Sequence, residues 1–166
     1  MYKGQSITVI IPCLNEEQGI EKVLRAMPDF GKMRDHIHVS VTGEGVRIDL
    51  MEDEEGMFFV TGSPNPTDAG ERLLRALASE LSRMGNRIAI EGHTDARPFR
   101  NAGPSSRYGN WELSVDRANA ARRLLLSYGI AEDQVVEVRG FAAGQLLNPN
   151  NPNDATNRRV SVVVKL

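Results

Sequence analysis

The sequence predicts a two-layer α/β sandwich, in which helices cover one face of a mixed sheet, with a short β-loop-α appendage at the N-terminus. At 166 residues with 40% hydrophobic side chains, the chain can bury one good core. Runs whose hydrophobicity alternates with a period of two take turns with helical stripes, in the order β-hairpin, α, β, α, β, β. Helices placed between strands of one sheet give this architecture, with parallel strand pairs and an antiparallel edge. We therefore assign residues 1–34 to the appendage and residues 35–166 to the folded domain.

The domain opens with a predicted β-hairpin. Residues 36–41 and 46–50 alternate in hydrophobicity, and Gly43 and Gly45 between them supply positive φ for a tight turn. The acidic run at residues 52–55 then has the composition of a solvated turn.

The first helix of the domain is marked at both ends. Thr67 is its predicted N-cap, Asp68 and Glu71 suit its positive N-terminal end, and Gly85 stops it. Its apolar stripe consists of Leu73, Leu74, Leu77, Leu81 and Met84.

Residues 87–123 form a strand, a polar loop and an amphipathic helix. Residues 87–91 alternate as in a half-buried strand, and Gly92 is predicted to end it at a turn. The helical stripe consists of Leu113, Ala118, Ala121, Leu124, Leu125 and Tyr128, and Arg117 and Arg122 fall off it. Asp95 at the strand end and Arg117 in the early turns of the helix can converge on one cleft. The pair is therefore a candidate site for a small charged ligand. Residues 135–139 and 160–164 are the last two predicted strands.

Three motifs carry a resemblance to a known family. They read GHTD at residues 92–95, NWELSVDRANAARR at 110–123 and NRRVSVVV at 157–164. In this order they resemble the OmpA-like peptidoglycan-binding domain, and the tryptophan version of the helix entry is most similar to the B subunits of flagellar motor stators. The resemblance runs from about residue 35 to 166. It implies an OmpA-like sandwich that binds peptidoglycan without cleaving it.

The resemblance also implies which residues hold the ligand. Asp95 and Arg117 correspond to the residues that bind the diaminopimelate of the peptidoglycan stem peptide. Thr94, Asn110, Leu113 and Ser114 stand in the same motifs, and Arg158 and Arg159 border the site.

Two of these assignments leave alternatives open. N-capping alone explains an asparagine at Asn110, so capping and ligand contact are equally favoured there. One of Arg158 and Arg159 is expected to pair with a ligand carboxylate, and the other to form a salt bridge with Asp95 or Glu91. The loop at residues 96–108 is expected to border the groove. Trp111 beside it is interpreted as a lid or packing residue in preference to a sugar platform.

The residues needed for catalysis or metal binding do not form a complete set in the sequence. His36 and His38 are expected on one strand face but lack a placed third ligand, and His93 is interpreted as a hydrogen-bonded support for its loop. Ser114 has no histidine at a defensible spacing to act as its base. We therefore expect no enzyme activity, no metal and no cofactor.

The first thirty residues carry a separate resemblance. ITVIIPCLNEEQGIEKVL at residues 7–24 is similar to the opening strand, loop and helix of family 2 glycosyltransferases, with Asn15 as the predicted N-cap. The alternative function is therefore a glycosyltransferase-related protein that binds a nucleotide sugar through this segment. Since nothing downstream resembles the rest of that family's site, we interpret the segment as a fusion, a replaced N-terminus or an expression leader.

Charge and hydropathy restrict the partners further. The net charge of −2 gives no basic field for nucleic acid. No stretch approaches the roughly 18 consecutive apolar residues of a membrane span, and the run at residues 7–11 is too short for a signal peptide. The resemblance implies a periplasmic domain, a full-length protein held in the inner membrane, and homodimers. An outer-membrane tether with no motor role is a further alternative.

Overall fold

The structure is a computed structural model that describes residues 13–99 and 107–165. The predicted strand at residues 7–11 and most of the polar loop, residues 100–106, lie outside this range. The helices are α1 (Cys13–Arg25), α2 (Phe30–Met33), α3 (Asp68–Met84) and α4 (Asn110–Ser127), and the strands are β1 (Ile37–Thr42), β2 (Gly45–Met51), β3 (Ile88–His93), β4 (Val135–Gly140) and β5 (Arg159–Lys165). In the described ranges no helix combines the length and apolar character needed to cross a membrane.

The five strands form one mixed sheet in the order β1-β2-β5-β3-β4. β1 and β2 form the predicted hairpin, although of its two glycines Gly45 alone takes a positive φ, of 138°. Among the described strands only β3 and β4 pair in parallel. The expectation of several parallel pairs is wrong, because β5 enters the middle of the sheet and runs antiparallel to both β2 and β3. The mixed α/β sandwich itself is confirmed.

The core lies between the sheet and the helices. The core face of the sheet is formed by alternate residues of neighbouring strands, with Ile48 paired with Val162 and Val162 with Ile90. From α3 the predicted leucines Leu73, Leu74, Leu77 and Leu81 all become fully buried against this face. Both predicted ends of α3 are confirmed. The Thr67 hydroxyl accepts a hydrogen bond from the Gly70 amide, and Gly85 takes the left-handed conformation with φ of 70°.

α1 packs on the same core. Ile20 and Leu24 are 0% and 2% exposed and belong to the cluster that includes the leucines of α3. The helix begins at Cys13, so Asn15 lies inside it and does not cap it, contrary to the sequence prediction. The division of the chain at residue 34 stays a prediction, and the helix of the first segment lies against the second.

α4 approaches the sheet closely at Gly92. A Cβ atom at this position would lie 1.8 Å from the Ser114 carbonyl oxygen. β3 continues through Gly92 to His93, so the prediction that Gly92 ends the strand at a turn is wrong. The glycine is required by the helix crossing and brings the first turns of α4 against the end of β3.

Candidate functional site

A cavity of about 400 Å³ opens where β3 ends and α4 begins. It is lined by residues from four segments of the chain: Glu54, Thr61, Gly62, Thr94, Asp95, Arg97, Pro98, Phe99, Asn110, Leu113, Arg117 and Arg158. Asp95 and Arg117, which the sequence predicts to form a site for a small charged ligand, therefore line the same cavity. Residues 97–99 belong to the loop that was expected to border the groove, and they do so.

Asp95 is 5% exposed and is held in place by two groups. Its Oδ1 accepts a hydrogen bond from the Arg97 amide at 3.0 Å. Its Oδ2 accepts one from Arg158 Nη1 at 2.9 Å. A carboxylate fixed in this way at a cavity wall can accept a further bond from a ligand ammonium group.

Arg117 is 2% exposed, so it is buried although it lies off the predicted apolar stripe of α4. Its Nε donates to the Ser63 carbonyl at 3.0 Å, and its Cζ lies 5.9 Å from the centre of the Phe59 ring. Among the described residues no carboxylate oxygen lies within 4 Å of its guanidinium. Burial lowers the pKa of Arg117, and the Glu52 carboxylate opposes that change. Because a buried cation without a carboxylate in direct contact is costly, the guanidinium is suited to bind an anion from the cavity.

Glu52 is a buried residue of the site that the sequence interpretation missed. It was placed in a solvated turn, yet it is 2% exposed. Its Oε1 accepts a hydrogen bond from the Phe59 amide at 2.9 Å, and its Oε2 accepts one from the Phe58 amide at 3.1 Å. Burial raises the pKa of this carboxyl to about 7, although the two amides and Arg117 lower it. Nothing in the acidic run distinguishes Glu52 from its neighbours, because its partners become adjacent only in the folded chain.

The two neighbouring arginines separate. Arg158 forms the expected salt bridge to Asp95 and also lines the cavity, while pairing of either arginine with a ligand carboxylate stays a prediction. Arg159 turns to the helix-free face of the sheet, the face opposite the core, on which no helix of the described ranges packs. There its Nη2 donates to the Gln145 carbonyl at 3.1 Å, and its Nε lies 3.6 Å from Asp49.

The other motif residues have distinct positions. Thr94 and Leu113 line the cavity, and so does Asn110. The side chain of Asn110 donates to the Arg97 carbonyl at 2.9 Å, while Gly109 is the N-cap of α4, so capping is excluded for Asn110. Ser114 does not line the cavity. It is fully buried, and its hydroxyl donates to the Trp111 carbonyl and accepts the Ala142 amide.

Three further expectations need correction. His93 is fully buried and stacks on Phe141 at 5.1 Å. Its Nε2 lies 3.4 Å from the Glu91 carboxylate, and in the described residues no hydrogen bond joins its ring to the loop after β3, so it is not the hydrogen-bonded support of that loop. Trp111 is 59% exposed, so the packing role is wrong for it, and the lid role stays a prediction. His36 lies in a 3₁₀ turn before β1 and does not share a strand face with His38.

The family of the chain follows from a match over the whole site. A family profile described as the OmpA family matches residues 58–159, which include Asp95, Arg117 and Arg158. The chain belongs to the OmpA family. Its match begins at the Phe58 segment and ends at the first residue of β5, so the cavity residues other than Glu54 lie within the OmpA family region.

Individual relatives agree with the OmpA family assignment. Motility protein B of Escherichia coli strain K12 is 37% identical over 145 residues, which cover 87% of this chain and 46% of that protein. The chain thus spans about half the length of this relative. The cell wall anchor of the T6SS from Pseudomonas aeruginosa has the same fold, with a TM-score of 0.68 and 24% identity over 88% of this chain and 96% of that one. The periplasmic domain of Helicobacter pylori MotB, residues 78–256, has a TM-score of 0.65 with 19% identity over 78% and 81% of the two chains.

Proposed function

We propose that this domain binds peptidoglycan without cleaving it and recognises the diaminopimelate of the stem peptide. One observation carries the proposal. Arg117 is a buried guanidinium at the wall of an open cavity, with no carboxylate oxygen within 4 Å in the described residues, and the Asp95 carboxylate lines the same cavity. A ligand with a carboxylate and an ammonium on one carbon complements this pair. The amino acid end of diaminopimelate has that arrangement.

Each residue has a defined role in the proposed complex. The Arg117 guanidinium pairs with the ligand carboxylate, and Asp95 accepts from the ammonium. Arg158, which holds Asp95 in place, and the Asn110 side chain border the same ligand. Thr94 and Leu113 supply the remaining wall of the cavity.

The chemistry of the cavity favours binding over cleavage. A hydrolase of amide or glycosidic bonds needs an activated nucleophile, a pair of suitably spaced carboxylates or a metal-bound water. Ser114 uses its hydroxyl to join α4 to the segment after β4, and His93 lies buried against Phe141, away from the cavity lining. Asp95 is engaged by Arg158. These groups therefore serve the structure and the binding site.

The relatives favour a role at the cell wall for the whole protein. One solved relative is named a cell wall anchor, another is a MotB periplasmic domain, and a curated relative is a motility protein. We infer that this domain is periplasmic and anchors a flagellar motor stator complex, held in the inner membrane as a homodimer, to peptidoglycan.

Binding of a soluble stem peptide tests the proposed site. The tripeptide Ala-γ-Glu-diaminopimelate is titrated calorimetrically into the wild type and into Asp95→Ala and Arg117→Ala. Each substitution should weaken binding about ten- to a hundredfold, because it removes one partner of a charge-assisted pair worth about 1.5–3 kcal/mol.

Matched variants control for charge and folding. Arg122→Ala on α4 and Asp133→Ala in the turn before β4 change the same charges outside the cavity, and they should bind like the wild type. Circular dichroism checks that each variant is folded. If the wild type binds neither the tripeptide nor purified peptidoglycan, the proposed function is wrong.

A further inference from the structure

Glu52 connects three parts of the chain below the cavity. Its carboxylate accepts the amides of Phe58 and Phe59, at 3.1 and 2.9 Å. Its own amide donates to the Arg158 carbonyl at 2.9 Å. The residue directly after β2 thus holds the segment before α3 and the segment before β5, although it does not line the cavity itself.

The segment that Glu52 holds determines the position of Arg117. Phe59 places its ring beneath the Arg117 guanidinium, and Ser63 supplies the carbonyl that Arg117 Nε binds. The start of the segment is fixed on its other side, because the Phe58 carbonyl accepts the Thr67 amide at 2.9 Å and packs against Gly70. The two amide bonds to Glu52 therefore act on the groups that orient Arg117.

Glu52 and Arg117 also interact electrostatically. Of the charged groups around Arg117, Glu52 acts on it most strongly and attracts it, followed by Arg158, which repels it. Arg117 from α4 and Arg158 from the segment before β5 are in turn the charged groups that act on Glu52. Glu52 thus acts on Arg117 as a negative charge from outside the cavity lining, and a ligand carboxylate would add a second negative charge from within the cavity.

We propose that Glu52 is a positioning residue for anion recognition by Arg117, and that it takes up a proton when a carboxylate enters the cavity. The inference rests on the proposed function in its choice of ligand. A second anion near Arg117 disfavours the ionised form of Glu52, so binding and protonation favour each other. The carboxyl is suited to respond near neutral pH, because burial raises its pKa to about 7.

An NMR titration without ligand first tests whether the protonation of Glu52 affects Arg117. The side-chain carboxyl carbon of Glu52 is followed by NMR from pH 4 to 9, assigned by its loss in Glu52→Gln, together with the Arg117 Nε–H resonance. We expect both signals to move with one midpoint near 7. In Glu52→Gln the Arg117 signal should no longer titrate, whereas the matched Glu55→Gln variant, from the exposed part of the same acidic run, should behave like the wild type. A Glu52 midpoint near the ordinary 4.5, with an unmoved Arg117 signal, overturns the inference.

Calorimetry then measures proton uptake. The tripeptide Ala-γ-Glu-diaminopimelate is titrated at pH 7 in two buffers that differ in ionisation enthalpy. We expect the wild type to take up a fraction of a proton and to bind about three- to tenfold more tightly at pH 6 than at pH 8. Glu52→Gln should abolish both effects, and Glu52→Ala should also weaken binding about tenfold at every pH, since it removes both amide acceptors.

The outcomes separate this inference from the proposed function. Binding by the wild type without proton uptake, and with affinity unchanged in both Glu52 variants, contradicts the role of Glu52 and leaves the ligand assignment intact. A wild type that binds neither the tripeptide nor purified peptidoglycan contradicts the proposed function, and the role of Glu52 is then decided by the NMR titration alone.

Discussion

Arg158 and Arg159 are neighbours in the chain, yet their side chains have different surroundings. Arg158 reaches the cavity and pairs with Asp95, whereas Arg159 is buried on the helix-free face beside Asp49. A strand sends successive side chains to opposite faces, and Arg159 is the first residue of β5. The sequence could predict that the two would differ, because alternation is local. It could not predict that Arg158 would combine a salt bridge with a place at the ligand cavity.

Arginine-to-lysine substitutions distinguish these two roles. Arg158→Lys should weaken binding of the diaminopimelate tripeptide about tenfold, because a lysine cannot reproduce the planar guanidinium that holds Asp95 while bonding the Asp53 carbonyl. Arg159→Lys should leave the affinity unchanged and lower the free energy of unfolding by about 1–3 kcal/mol, because it removes guanidinium donors from the buried Asn157 carbonyl and from the Gln145 carbonyl. Calorimetry and urea unfolding measure the two effects. Tighter binding by Arg158→Lys would mean that Arg158 competes with the ligand for Asp95.

The element that positions the site is α4, whose first turns lie against the end of β3. The helix crosses the sheet at Gly92. Close to this crossing, the Ser114 hydroxyl accepts a hydrogen bond from the Ala142 amide, which joins α4 to the segment after β4. This crossing brings Leu113 and Arg117 to the cavity. The helical period predicted α4 itself. The crossing depends instead on Gly92 of β3, a residue without a side chain that lies about twenty positions before Ser114.

Gly92→Ala should destabilise the domain. The added Cβ would lie 1.8 Å from the Ser114 carbonyl oxygen, so α4 must move away from the sheet. We expect a loss of about 2–4 kcal/mol in the free energy of unfolding and weaker tripeptide binding, because overpacking of a rigid backbone contact costs at least as much as overpacking of a core. Urea unfolding measures the first effect.

Gly31→Ala is the matched control for this substitution. Nothing lies within 4 Å of a Cβ at this position of α2, so its stability should be close to that of the wild type. If Gly92→Ala were as stable as Gly31→Ala, the close approach would not be what fixes α4.

At the level of the whole molecule, the helix-free face of the sheet is stabilised by charge pairing. Glu91 is 1% exposed and accepts hydrogen bonds from Arg47 at 2.7 Å and from Arg139 at 2.7 Å, across three strands. His93 lies on the same face, with its Nε2 3.4 Å from Glu91. Burial lowers the pKa of His93, although the Glu91 carboxylate opposes that change.

This histidine gives stability a pH dependence with a defined sign. The unfolded chain binds a proton at His93 below about pH 6.5, the ordinary value, while the folded chain holds the imidazole neutral to lower pH. The folded state therefore loses stability as pH falls below about 6.5, with a slope of up to about 1.4 kcal/mol per pH unit for one proton. Glu52, whose pKa is raised from 4.5 to about 7, acts in the opposite direction, and its contribution is lost as pH rises through about 7.

The variant His93→Phe separates the two contributions. It keeps a ring to stack on Phe141 and removes the titrating group, so the loss of stability towards pH 5 should become smaller than in the wild type. Urea unfolding midpoints between pH 5 and 8 measure the difference. If His93→Phe lost as much stability towards pH 5 as the wild type, the pH dependence would come from other groups.

Elements whose signals are local could be predicted from the sequence alone. The hairpin follows from alternation and two glycines, α3 from its stripe with Thr67 and Gly85 at its ends, and the motifs placed Asp95 and Arg117 on a strand end and a helix. Which polar groups are buried, and which partners they have, depends on the fold. Glu52 binds the amides of Phe58 and Phe59 near Arg117, and Arg158 binds Asp95, 63 positions away in the chain. The physical reason is that periodicity and capping depend on residues a few positions apart. The burial of a charge instead depends on groups that distant segments bring to it.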